Sequence, residues 1–357
     1  MLSTNFPHSN RFFVIGLIIC SLMVFAMIIL GGITRLMGAG LSIVNWQPII
    51  GILPPFSEQA WQQKFMLYQQ FPEYQKINSG MTLVEFKPLF WMEYGHRLWG
   101  RLMGLVLLVP TLIAIFKKPL RPFLKPLCWV WVLGGLQGFM GWYMVKSGLI
   151  DNPSVSPYRL TVHLFLALII LALFLWMLFP FMRPQKSRLI PSSQEKSLTP
   201  WISLVLGFII ITICMGGFTA GLKAGHLYNT FPTMNGEWIP DDVLFLKPLW
   251  RNFFENPSMV QFCHRVLALS TWVMTMGLIW RSLLLNLQSP TRKTLAAVGG
   301  FVTLQVLLGI VTLLLQVPLI LGVLHQATAV ILFSALWWLL LLSHDITADK
   351  TEILSQA

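Results

Sequence analysis

The sequence predicts an all-α, polytopic membrane protein whose eight transmembrane helices form two pseudo-symmetric four-helix bundles. Three observations lead there. Of the 357 residues, 55% are hydrophobic and only 11% are charged, a balance that excludes an ordinary soluble domain. Eight apolar runs are each long enough to cross a hydrocarbon core of about 30 Å. The second half of the chain also repeats the motif order of the first, the signature of an internal duplication.

The apolar runs lie near residues 11–31, 94–116, 124–145, 160–182, 200–221, 261–283, 294–316 and 319–342. The first is long and continues without a small-residue cleavage pattern, so it is expected to be a retained span. Charge between the runs sets orientation. Lys117, Lys118, Arg121 and Lys125 fill the second loop; Arg183, Lys186, Arg188 and Lys196 fill the fourth; Arg281, Arg292 and Lys293 fill the sixth. The third loop has only Lys146 and Arg159. Basic residues accumulate in cytoplasmic loops, so both termini are expected in the cytoplasm, as in a cell inner-membrane protein. The net charge of +12 is then an orientation signal and calls for no nucleic-acid partner; the bulk partner is membrane lipid.

Two long loops, 35–93 and 222–260, fall on the outer side. In the first, WQQKFMLYQQFPEYQ has the aromatic spacing of a short amphipathic helix lying on the membrane surface. These loops either cap a site at the outer face or serve as connectors with interfacial aromatic anchors. The four cysteines, Cys20, Cys128, Cys214 and Cys263, form no C-x-x-C or C-x-x-C-H motif. Neither covalent c-type heme attachment nor a loop disulfide is supported, and buried structural thiols are expected.

The halves align in a consistent register. GGITRLMGAGLS answers GGFTAGLKAGHL, EYGHRLWGRLMGL answers QFCHRVLALSTWV, GGLQGFMGWYMV answers VTLQVLLGIVTL, and TVHLFLALI answers VLHQATAVI. The expected organisation is an N-terminal bundle over 1–182, a cytoplasmic linker over 183–199 and a C-terminal bundle over 200–357. Four spans return the chain to its starting side, so the repeats are parallel. His8 and His344 are terminal, and His226 reads as a surface residue of the fifth loop.

The remaining histidines, His96, His163, His264 and His325, occupy equivalent places, opening the second and fourth spans of each half. Ionisable side chains at membrane depth are costly and usually functional. In an up-down-up-down bundle these two helices sit at diagonal corners and direct side chains into the core, where cofactors are held. Gly100, Ala167, Ala268 and Ala329 follow the histidines by four residues, on the same helix face, and leave a flat surface for a macrocycle. Two bis-histidine heme sites are therefore expected, with heme iron as the metal. Zinc or copper fits less well, because no thiolate or carboxylate set completes either pair.

The copies diverge at one position. Glu93 stands three residues before His96, whereas Gln261 stands three before His264. A carboxylate beside the first pair accepts protons or stabilises positive charge, and glutamine does not. The first half then reads as the reacting site and the second as its electron-transfer partner. The bland alternative is a favourable negative charge near a helix N-terminus. Arg35, Arg97, Arg101 and Arg265 are candidate partners for heme propionates, or else cations snorkelling to headgroups.

With GGITRLMGAGLSIVNWQPIIGILPP, EYGHRLWGR and the later FCHR and LHQ motifs, the chain resembles the heme A synthase family over residues 12–343. The likeness is to the mitochondrial and proteobacterial branch; the cysteine pair that another branch carries in its first outer loop is absent. The resemblance implies oxidation of a ring methyl of heme O to the formyl group of heme A, for terminal oxidases. It also implies heme O or heme A on His96 and His163, heme b on His264 and His325, and Glu93 as the catalytic residue. A heme O synthase is the implied upstream partner; the electron donor or acceptor and any homo-oligomer stay open. The residues by themselves also admit a diheme cytochrome b exchanging electrons with quinone, or a heme transporter.

Overall fold

The computed structural model describes residues 10–46, 50–150, 152–182 and 191–344. His8, Asp151, and Arg183, Lys186 and Arg188 of the expected linker lie outside the described residues, as do residues 47–49 of the first-loop motif. The described chain is helical, without strands. Eight of its helices are long and apolar enough to cross a membrane: α1 (Arg11–Leu36), α4 (Leu83–Phe116), α5 (Leu124–Gly148), α6 (Pro157–Met182), α7 (Ser193–Gly221), α9 (Pro257–Leu283), α10 (Ser289–Leu314) and α11 (Leu319–Ser343). Three shorter helices, α2 (Glu58–Gln69), α3 (Pro72–Lys76) and α8 (Asn252–Glu255), belong to the two long loops.

Local chemistry explains most boundaries. Helix α4 begins at 83, eleven residues before the expected 94, because Thr82 and Glu85 form a capping box. Its 34 residues span roughly 50 Å, so its first turns extend beyond a hydrocarbon core. Ser192 and Glu195 form the same box at the start of α7, and the second Glu195 oxygen accepts a 2.5 Å hydrogen bond from Thr291 at the start of α10. At the other end of the molecule α1 closes on Gly38. Its φ of +66° suits the left-handed cap, with the Ala39 amide donating to Thr34 O and the Gly38 amide to Arg35 O.

Corresponding helices pack alike. Helix α1 lies on α4 and α6, and α5 on α6; in the second half α7 lies on α9 and α11, and α10 on α11. The halves meet along α1, α6, α7 and α11, and one cluster of buried side chains runs through both. Paired glycines permit this. Gly31 and Gly32 are equivalent to Gly216 and Gly217, and consecutive residues point about 100° apart on a helix. A Cβ on Gly32 would overlap Oε1 of Gln326, whose Nε2 donates to Ile28 O at 2.8 Å across the interface. A Cβ on Gly217 would lie 2.8 Å from Thr161 Oγ1. Gly32→Ala is therefore expected to cost about 1–3 kcal/mol through overpacking. Thermal unfolding in detergent measures this, and an unchanged midpoint would refute the contact.

Two expectations need correcting. The amphipathic segment forms α2, but its apolar face lies on protein instead of the membrane surface. Trp61, Phe65 and Tyr68 are buried against Phe86, Phe90 and Tyr94 of the N-terminal part of α4, with Trp61 and Phe90 rings 4.9 Å apart. Of the cysteines, Cys20 is buried and Cys214 and Cys263 are half-buried, whereas Cys128 is exposed on α5. Cys128 neighbours Trp129 and Val132 on the outward, apolar flank of that helix, so it contributes nothing to the core.

Candidate paired-histidine site

Each of the four histidines lies against a glycine of a neighbouring helix. A Cβ on Gly31 of α1 would sit 3.4 Å from His96 Nε2, and one on Gly216 of α7 would sit 3.2 Å from His264 Cε1. The same holds for Gly141 of α5 and His163, at 3.2 Å, and for Gly309 of α10 and His325, at 2.9 Å. A larger residue at Gly141, Gly216 or Gly309 would push the ring away, so the absent side chain is what lets the imidazole approach the helix backbone this closely. These four ring-to-glycine contacts repeat in the duplicated register.

The second pair is close. His264 and His325 have ring centroids 6.5 Å apart and planes inclined at 87°. Two imidazoles bonded to opposite faces of one iron, each at about 2 Å, bring their centroids to about 6 Å. The residues present fit that group. Nδ1 of His163 and of His264 is buried without a hydrogen-bond partner among the described residues. The aligned glutamines differ in use: Gln137 donates to the His163 backbone carbonyl at 3.0 Å, while Gln305 Nε2 lies 3.2 Å from Nδ1 of the His325 ring.

All four histidines line one cavity of about 1500 Å³, well above the roughly 300–1,000 Å³ of a single small-ligand pocket. Gly100, Ala167, Ala268 and Ala329 line it too, as do Arg35, Arg97, Arg101 and Arg265. Among the described residues the lining carboxylates are Glu73 and Glu93, against four arginines, so these residues favour an anionic occupant. Its walls are otherwise largely apolar, suiting a macrocycle with charged edges. His226 is exposed in a short turn at the cavity edge.

Beside the first pair, Glu93 is buried and saturated with donors. Its Oε1 takes a 2.6 Å contact from Arg97; its Oε2 accepts from Ser42 Oγ and from the Ile43 amide, both at 2.8 Å. Arg97 also donates to Ile43 O and Asn45 O. In the second half Arg265 donates in the same way to Tyr228 O, the counterpart of Ile43 O, and to Thr230 O. Both arginines thus clamp a long loop to its helix. Gln261 donates to Ala224 O and Tyr228 O and accepts from Arg265 at 3.3 Å. Ser42 corresponds to Leu227 and Arg35 to Ala220, so carboxylate, hydroxyl donor and extra cation occur together in the first half only.

Sequence reasoning had no means of finding Glu73. It stands in α3 of the first long loop, yet it is buried against Tyr68 and reaches the same cavity. The glycines opposite the histidines were visible in the aligned motifs, but their role was not.

Fold and site together define a helical membrane protein whose duplicated halves each offer a histidine pair to a shared, largely apolar cavity. The chain belongs to the cytochrome oxidase assembly protein family, whose model matches residues 15–337. Among its relatives, heme A synthase of Nitrosospira multiformis is 45% identical, covering 91% of this chain and 91% of its own. Heme A synthase of Nitrosomonas eutropha is 42% identical over 94% of this chain and 95% of its own, and that of Wolbachia pipientis wMel 43% over 94% and 93%.

Proposed function

We propose that the chain is a heme A synthase that oxidises a ring methyl of heme O to the formyl group of heme A. The observation that carries this reading is the asymmetry within the duplication. Two histidine pairs share one cavity, but only the first has a buried carboxylate, Glu93, beside it. His96 and His163 hold the porphyrin substrate; His264 and His325 hold heme b, which supplies an electron-transfer centre when bound. Arg35 and Arg101, on the cavity wall, meet the propionates as charge-assisted partners. Arg97 and Arg265 contribute positive potential while their donors hold the loops.

The chemistry proceeds by successive oxidations at the methyl carbon, through an alcohol and a hydrated aldehyde that loses water. With water as oxygen source, methyl to formyl releases four electrons and four protons; with dioxygen, protons and electrons are consumed alongside. Isotope labelling with labelled water and labelled oxygen selects between these. Glu93 stabilises the positive charge that develops as electrons leave the methyl carbon, and its three donors keep the carboxylate in place. The protein sits in the inner membrane with both termini inside, both histidine pairs near the outer face, and a heme O synthase as supplier.

The test is heme extraction and mass analysis from an oxidase-free host that makes heme O. Heme A is expected only when the chain is expressed. Heme B in both sites without modified porphyrin would mark a diheme electron carrier, and movement of unchanged porphyrin would mark a transporter; either overturns the synthase reading.

A further inference from the structure

Glu73 is a buried carboxyl that the reading above does not use. It lies outside the membrane-spanning segments, on the five-residue helix α3, and is only 7% exposed. One oxygen accepts a hydrogen bond from Tyr68 Oη at 3.1 Å, and Tyr68, itself fully buried, accepts one from Asn78 Nδ2 at 2.7 Å. The aromatic packing of α2 on α4 holds Tyr68 in place, its ring 5.0 Å from that of Phe86. The cap therefore places a carboxyl in the wall of the cavity that holds His96 and Glu93. Phe71, Ile77 and Asn78 line the same cavity beside Glu73, and Ile77 is exposed to the outside.

Glu93 and Glu73 differ in what their surroundings allow. Both Glu93 oxygens are occupied by donors, one of them a guanidinium. Among the described residues Glu73 has a single neutral side-chain donor, on one oxygen. Burial pushes its carboxyl up to about 7; the Tyr68 hydrogen bond acts against this, the Glu93 charge adds to it, and Lys223 opposes it. Tyr68, Glu93 and Lys223 are the titratable groups that face it from α2, α4 and the end of α7. The proton is thus held below about pH 7 and released above it, so the group changes state near neutrality.

We propose that Glu73 is the proton-exchanging group of this cavity, moving protons between the reacting carbon at the first histidine pair and outer water. This inference rests on the heme A synthase reading. Hydroxylation of a methyl with the oxygen of water, R–CH3 + H2O → R–CH2OH + 2 e⁻ + 2 H⁺, with the electrons taken one at a time by a heme-iron acceptor, sets two protons free inside the cavity. If dioxygen is reduced alongside instead, R–CH3 + O2 + 2 e⁻ + 2 H⁺ → R–CH2OH + H2O, with the electrons given by a heme-iron donor, two protons are taken up. In either direction a carboxylate that becomes a carboxylic acid, and then returns to carboxylate, carries each proton while Glu93 keeps its three donors. Glu73 acts on the proton and not on the porphyrin, so it is a positioning and relay residue.

The experiment uses the full-length protein in two measurements. Infrared titration of the purified chain between pH 5 and 9 is expected to show a protonated-carboxyl band that fades near neutrality and is missing in Glu73→Gln. Tyr68→Phe, which removes the donor that favours the charged form, shifts that band to higher pH. In heme A formation, Glu73→Gln is expected to lose roughly tenfold or more in turnover, with the KM for heme O unchanged and the pH dependence around neutrality flattened; Glu73→Asp restores part of both. If Glu73→Gln retains the natural band, or the natural turnover and pH profile, the proposal is wrong. If it loses activity through misfolding, the failure of Glu73→Asp to recover any pH dependence counts against the relay equally. A natural chain that makes no heme A but shows the titrating band would overturn the synthase reading alone.

Discussion

Glu93→Gln is expected to lower heme A formation by about 10²–10⁴-fold, the range for removing a positioned acid–base or charge-stabilising group, while the second site keeps its heme. The substitution removes negative charge beside the first histidine pair and reverses one hydrogen-bonding direction. A glutamine that presents its oxygen to the Ile43 amide and Ser42 turns its NH2 toward Arg97, donor against donor; the reverse orientation faces the Ile43 N–H instead. In the second half Gln261 is tolerated because its NH2 meets the carbonyls of Ala224 and Tyr228. Glu93→Gln combined with Ser42→Leu is therefore expected to be no more active than the single variant. Extracted heme, quantified by chromatography and set against the heme b spectrum of the same sample, measures both effects. Full heme A formation in Glu93→Gln would end the catalytic assignment.

The second large effect lies at the other pair. His325→Ala is expected to reduce the heme-to-protein ratio to about half and to abolish turnover, because the second site loses an axial ligand. Gly309→Val tests the same site without deleting a ligand. A Cβ there would lie 2.9 Å from His325 Cε1, and two further methyls force the ring off α10. The expected result is loss of the second heme with His325 still present. Spectra of the reduced protein, recorded with and without added imidazole, separate the cases. Imidazole fills the space left in His325→Ala and restores a bis-nitrogen spectrum, but it has no space in Gly309→Val. A Gly309→Val protein with full heme content would show that the ring-to-glycine contact does not position the ligand.

Much of the architecture was legible in the residues. Eight helices were readable because a membrane demands long apolar runs with internally satisfied backbone, and most boundaries fell within a few residues. The exceptions were the starts of α4, whose extension over 83–93 is held by the Thr82–Glu85 box and by aromatic packing with α2, and of α7, which the Ser192–Glu195 box begins seven residues before the expected 200, inside the expected linker. Hydropathy does not register such contacts. The four histidines and Glu93 stood out because duplication places equivalent residues side by side for comparison. Arg97 and Arg265 were visible as cations, but besides Glu93 and Gln261 their partners are backbone carbonyls of the long loops, which carry no residue-type signal. Glu73 was invisible for a related reason: a loop glutamate reads as solvated until the surrounding chain buries it.

The sequence by itself determined the number of spans, the register of the duplication and the unequal side chains, Glu93 against Gln261, of its halves, all of which reside in composition and periodicity. Only the tertiary structure decided which glycine of each pair receives a histidine and which meets the opposite half. That choice depends on how each helix is rotated against two neighbours at once. Tertiary packing also brought Glu73 beside the cavity of His96 and Glu93, since a carboxyl's environment is set by what closes over it and not by its neighbours in the chain.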